Sequence, residues 1–229
     1  MKAENYFEND DFGNAPLIRD RVYDKLKMEI IKGIIQPGET LNIMGLSNQL
    51  NISAAPIREA LNMLNRDGLV DLAPHRKPVV AVGTPLDFSI AVDMRMILEP
   101  YATRLSTPLI PQEAIDDMRA MLQHVLDNPL ILSDYVESDL AVHEMLHIYS
   151  GSKLLSEILN TIKSYAMRFR YQVEKRPETG GNESMSHHII ISTQEHMAIV
   201  NALDTRDPDL AAATVQRHLE LYKNRNTPA

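Results

Sequence analysis

The sequence predicts a mainly α-helical protein: an N-terminal winged helix-turn-helix followed by an all-α antiparallel helical bundle. Three observations predict it. Apolar residues recur at helical spacing over most of the chain from Leu17 onward. Two short β-type runs, 69–72 and 79–82, occur once, facing each other across residues 74–78. After Gly83-Thr84-Pro85 strand signals vanish, and helix-length segments alternate with proline and glycine breaks.

Each element has a local reason. Leu17, Val22, Leu26, Ile30 and Ile31 are spaced to cover one face of a first helix, and Gly33 stops it. Gln36-Pro37-Gly38-Glu39 reads as a turn. Short helices are expected over 43–50 and 54–67, with Ser53 where the N-cap of the second belongs. Gly68 ends that helix, and the β-type runs then make a hairpin with His75, Arg76 and Lys77 at its tip. Helix, short helix, turn, helix and hairpin is the order of a winged helix-turn-helix. Beyond it, Thr84 can cap and Pro85 can occupy the first position of a further helix. Six helices are expected, over 86–106, 111–127, 132–150, 153–176, 186–203 and 208–224. The expected division is a flexible tail over 1–16, a DNA-binding domain over 17–83 and a helical effector-binding domain over 84–229.

Composition narrows the functional classes. Hydrophobic residues make up 44 %, too many for a disordered chain. The absence of cysteine excludes a disulfide scaffold, thiol catalysis and thiolate-bound zinc, and it fits a cytoplasmic protein. No run of 18 apolar residues is present, so no membrane association is expected. The net charge of −8 is uneven. Residues 17–83 carry nine basic and seven acidic side chains, whereas 84–229 carry thirteen and twenty. The one positive segment is the one expected to meet phosphate.

Within that segment, Ile34-Ile35-Gln36-Pro37-Gly38-Glu39-Thr40-Leu41, Ser53-Ala54-Ala55-Pro56-Ile57-Arg58-Glu59-Ala60-Leu61 and Asn65-Arg66-Asp67-Gly68-Leu69-Val70 together resemble the DNA-binding half of the GntR family of bacterial regulators. The resemblance covers about residues 17–82. It implies binding to double-stranded operator DNA, with the helix after Ser53 entering the major groove. Ser53 is then a candidate phosphate contact and Arg58 a candidate for bidentate contact with guanine. His75, Arg76 and Lys77 at the wing tip are candidates for phosphate or minor-groove contact. Two positions depart from the pattern. Ala54 stands where an arginine is common, so no base contact is carried over to it, and Lys77 stands where the wing often has glycine.

The helical half contains a metal-ligand constellation. Asp139 and His143 are spaced i,i+4 and share a helix face, while His196 and His218 lie on two later helices. A carboxylate with three imidazoles suits zinc, nickel or another divalent transition metal. The same residues also fit an exposed ion pair and structural histidines, and spacing does not choose between these. Arg95-Met-Ile-Leu-Glu99, Asp139-Leu-Ala-Val-His143, Glu195-His196 and Arg217-His218 occur in the order of the ligand-binding, FCD-type domain of the FadR subfamily. That resemblance implies a divalent metal on Asp139, His143, His196 and His218. It also implies a small organic or sugar acid effector beside the metal, with Arg95 as its ligand-contacting arginine. The competing role of Arg95 is an i,i+4 helix pair with Glu99.

A second motif overlaps the first. His143-Glu144-Met145-Leu146-His147 has the H-E-x-x-H form of zinc peptidases, which makes a metal-dependent hydrolase the alternative function. His147 also lies on the stripe of Asp139 and His143, as a pocket or helix-surface residue, and Arg168 and Arg170 are further pocket candidates. The leading expectation is a non-enzymatic, metabolite-responsive transcription regulator, with repression as the commoner mode. It would bind a two-fold operator as a homodimer.

Overall fold

A computed structural model describes residues 17–129, 131–174 and 182–226, and gives the backbone alone for 167–174, 182–185 and 226. The expected tail over 1–16 and the side chains of Arg168 and Arg170 therefore lie outside the described residues. Within them the order is α1 (Ile18–Ile31), α2 (Ile43–Leu50), α3 (Ala54–Arg66), β1 (Val70–Asp71), β2 (Val79–Val80), α4 (Pro85–Ser106), α5 (Gln112–Asp127), α6 (Leu132–Ile148), α7 (Lys153–Glu174), α8 (Asn182–Asp204) and α9 (Pro208–Asn226). The molecule is mainly helical, a winged helix-turn-helix joined to a helical bundle.

The N-terminal elements pack as their patterns dictate. Val22, Leu26 and Ile30 of α1 meet Ile57, Ala60, Leu61 and Leu64 of α3, with Leu41, Leu69, Val70 and Val80 closing the core. Gly33 takes φ 64° immediately after α1, the left-handed conformation that ends a helix at low cost in glycine. Gly38 at φ 81° sits third in the Gln36–Glu39 turn, which is closed by Glu39 N–H donating to the Gln36 carbonyl at 3.0 Å. The wing strands are shorter than the β-type runs. Val70 pairs with Val80 and Asp71 with Val79, and a further bridge joins Thr40 to Val79. Gly38 N–H donates to the Val80 carbonyl and Leu41 N–H to the Pro78 carbonyl, so the turn after α1 finishes the ladder that the short hairpin begins.

The bundle is entered through Thr84, whose side chain accepts from Asp87 N–H, with Pro85 at the start of α4. Ser152 caps α7 by accepting from Leu155 N–H at 3.2 Å. The main core gathers Ile115, Met118 and Leu122 of α5, Val142, Met145 and Leu146 of α6, Ile199, Val200 and Leu203 of α8, and Val215 and Leu219 of α9. Helix α4 packs against α6, α7 and α9. Ile31 at the end of α1 is buried among Val125, Tyr135, Val136 and Ile189, so the N-terminal half is docked on the bundle by an apolar contact.

Candidate functional site

Three buried histidines from three helices converge inside the bundle. His143 on α6, His196 on α8 and His218 on α9 each offer a ring nitrogen, and these nitrogens all lie within 4.8 Å of one another. Ring centroids are 5.2 Å apart for His143 and His196, 5.3 Å for His143 and His218, and 4.6 Å for His196 and His218. Asp139, one turn before His143, is buried with Oδ1 3.6 Å from His196 Nε2. The four residues singled out in the sequence are thus brought together, with the histidines as the tight set and the carboxylate at its edge.

Two carboxylates hold the rings, and sequence reasoning gave neither of them this role. Glu99 on α4 faces His143 Nδ1 at 2.9 Å and accepts from Arg95 Nε at 2.5 Å. Glu195 on α8 faces His218 Nδ1 at 2.9 Å and is gripped by both terminal nitrogens of Arg225 at 2.5 and 2.8 Å. Burial pushes the Glu99 carboxyl up, but the Arg95 guanidinium and His143 outweigh it and hold it well below the usual carboxylate range. Glu195 is lowered to about 2, the hydrogen bonds from Arg225 and His218 overcoming its burial. Burial also pulls the His143 imidazole down to about 4, against the pull of Glu99, so at neutral pH the ring is uncharged. A neutral ring whose Nδ1–H donates to a fixed carboxylate presents Nε2 as a lone pair, the tautomer and orientation that metal-ligating histidines need. Three converging imidazoles with a neighbouring aspartate fit a divalent first-row metal.

The H-E-x-x-H reading is corrected by the same geometry. His143 is grouped with His196 and His218, and His147 is not among the converging nitrogens. Glu144 lines a cleft of about 810 Å³ with Tyr23, Lys27, Asp67 and Lys163, between α1, the end of α3 and the bundle. The sheet among the described residues is the two-stranded wing, so none lies beside α6 to hold an extended peptide. Of the other histidines, His187 is exposed and His124 sits on the surface 3.2 Å from Asp134.

Arg95 and Glu99 do form their i,i+4 pair, but inside the bundle: both are buried, and the Arg95 guanidinium lies 5.8 Å from the centre of the Tyr222 ring. The pair uses Nε, and Nη2 is buried with no hydrogen-bond partner among the described residues.

In the N-terminal half, α3 buries Ile57, Ala60, Leu61 and Leu64 and leaves Arg58, Asn62 and Asn65 exposed. Ser53 is the N-cap residue in extended conformation, yet its side chain makes no capping bond, so its hydroxyl is available to an outside partner. The first-turn N–H groups of α3 add partial positive charge beside it. His75, with φ 60°, Arg76 and Lys77 are all exposed on the wing loop.

Comparison with known proteins agrees with both halves. The bacterial regulatory proteins, gntR family, match residues 18–79, and the FCD domain matches residues 91–221. The HTH-type transcriptional repressor RspR of Escherichia coli K12 is 23 % identical over 205 residues, covering 89 % of this chain and 86 % of that protein. The HTH-type transcriptional repressor NanR of Klebsiella aerogenes is 26 % identical, covering 90 % and 85 %. Among solved structures, E. coli McbR/YncC superposes with a TM-score of 0.76 at 17 % identity, covering 93 % of this chain and all of that one, which is a likeness of fold.

Proposed function

This chain belongs to the GntR family of bacterial transcription regulators and carries a C-terminal FCD domain, and from that premise we propose that it is a metal-dependent, acid-responsive repressor. DNA binding follows from the helix-turn-helix; the family is one of regulators, not enzymes. Repression is the activity named for RspR and NanR, and it is proposed here by that likeness.

The observation that carries the effector reading is the buried histidine triad, two of whose rings, His143 and His218, are held through Nδ1 by the Glu99 and Glu195 carboxylates. His143, His196 and His218, with Asp139, would hold the metal, zinc or nickel by donor type. A divalent ion with one carboxylate and neutral imidazoles keeps net positive charge and suits an anionic oxygen as a further ligand. Arg95 Nη2, buried and open, suits the other oxygen of the same carboxylate. Helix α4 exposes Leu86, Ile90, Met94, Ile97, Tyr101 and Leu105 at helical spacing, an apolar stripe that supports pairing with a second copy. A dimer presents two recognition helices to two operator half-sites.

The test combines elemental analysis with thermal melting of protein purified without chelator or affinity tag. A stoichiometric transition metal is expected in the wild type. His196→Ala and His218→Ala should each lose it and melt earlier, because the metal joins α6, α8 and α9. His187→Ala should match the wild type. Wild-type protein free of transition metal would defeat the metal reading. An organic or sugar acid that stabilises wild type should do so less in Arg95→Ala and in metal-stripped protein.

A further inference from the structure

Helices α4, α6 and α7 pack on one another beside the histidine triad, and the polar groups they bury there are not all used by it. His147, one turn beyond His143 on α6, is 2 % exposed, and neither of its ring nitrogens has a hydrogen-bond partner among the described residues. Lys163 on α7 reaches across to α6, where its ammonium donates to the Leu140 carbonyl at 2.5 Å. It lies close enough to Arg95, Glu99, Asp139 and Glu144 to feel their charges, and His147 feels those of Lys163 and Glu99. A lysine head beside the triad and a buried imidazole with nothing to bond to therefore share one neighbourhood.

A desolvated imidazole without a partner costs stability that no hydrogen bond among the described residues returns. A leucine would fill the same buried place without that cost. The triad does not explain His147, whose nitrogens stand outside it. A ligand that supplies the missing partner does explain it, and the adjacent ammonium sets that ligand's charge.

We propose that His147 and Lys163 form a second pole of the effector pocket, so that the effector is a small dicarboxylic acid. One carboxylate meets the metal centre and Arg95, and the other meets His147 and Lys163. The inference rests on the metal-and-carboxylate reading above and adds the far end of the molecule. Lys163 also lines the cleft facing α1 and the end of α3. A carboxylate drawing on its ammonium competes with the Leu140 carbonyl at the wall between bundle and DNA-binding half, which gives the second pole a route to the operator-binding surface.

The experiment uses full-length, metal-loaded wild type, His147→Leu, His147→Gln and Lys163→Met. Metal content, ligand-free Tm and Tm shift are measured with malonate, succinate, glutarate and adipate. Butyrate, hexanoate and gluconate serve as one-carboxylate controls. At least one dicarboxylate should stabilise wild type more than every control. That extra shift should vanish in His147→Leu and Lys163→Met, with roughly tenfold or greater loss of apparent affinity, while metal content is unchanged. Ligand-free His147→Leu should melt at or above the wild-type temperature, since it removes an unsatisfied group. His147→Gln, which keeps a donor, should retain part of the dicarboxylate shift. A control acid that matches the best dicarboxylate overturns the second pole and leaves the metal centre standing. So does a dicarboxylate shift that survives both substitutions, or a His147→Leu protein that melts earlier yet binds normally. Wild type that holds no metal and responds to no acid overturns the centre itself and the second pole with it.

Discussion

Arg58 is exposed on α3 and makes no ion pair among the described residues, since the position one turn on is Asn62 rather than a carboxylate. Its guanidinium is therefore uncommitted before DNA arrives. Arg58→Ala should weaken specific operator binding by about 1–3 kcal/mol, the range for one bidentate base contact. Equal affinity for operator at matched salt, with the fold intact, would take it out of the base-reading set. Lys163 allows a test that needs no ligand. Burial pushes its ammonium down to about 8, against the pull of Asp139 and Glu144. At pH 7 the folded and unfolded states both carry the charge, so the cost of enclosing it is fully present. Between about pH 8 and the ordinary lysine value the folded state releases its proton first. The unfolded state then binds more protons, and wild-type stability rises with pH on this account. Lys163→Met should accordingly be more stable than wild type at pH 7 by about 1–2 kcal/mol, a figure reduced for the partly exposed stem. That advantage should shrink above pH 8. Paired denaturant titrations at pH 7 and pH 9.5 that give the same difference would place the ammonium in solvent.

Among the elements, α3 and α4 show two kinds of legibility. The buried set of α3 follows its i, i+3, i+4 and i+7 pattern, so its solvent face, and with it Arg58, is legible from periodicity alone. Helix α4 is apolar on more than one side. Phe88, Val92, Ala91 and Ala102 face inward, while Leu86, Ile90, Met94, Ile97, Tyr101 and Leu105 stay exposed. A helix apolar all round signals burial against something, and α7 and α9 cover only part of it. If a second copy covers the rest, Ile97→Glu, at a position 71 % exposed in the single chain, should dissociate the dimer while leaving the melting of the isolated protomer nearly unchanged. Sedimentation velocity showing the same species for both proteins would rule out the stripe as the interface. The wing strands show the opposite case. Their β-type runs are plain in the sequence, but strand pairing covers two residues each, flanked by Ala81 N–H donating to the Leu69 carbonyl and by hydrogen bonds to the turn after α1.

At the scale of the whole molecule, the DNA-binding half meets the bundle at Ile31 and across the cleft walled by Tyr23, Lys27 and Asp67 on one side and Glu144 and Lys163 on the other. Tyr23 donates to Asp67, and Lys27 donates to Tyr23 at 2.9 Å, so α1 and the end of α3 move as one wall. No helix of the described residues is long and apolar enough to cross a membrane. On the proposed reading, an effector at the triad would act on that wall through α6 and α7.

The sequence by itself determined the helical order, the turn glycines, the cap at Thr84 and the exposed face of α3. These depend on periodicity, on φ preferences and on side chains that bond within a few positions, all of them local. Only the tertiary structure decided that His143 groups with His196 and His218 instead of with His147, four residues away. It alone showed that Glu99 and Glu195 orient two of the rings, and that the Arg95–Glu99 pair is buried. Those outcomes turn on which helix faces meet, and facing is set by the packing of α4, α6, α8 and α9 around one core, a property that no stretch of neighbouring residues contains.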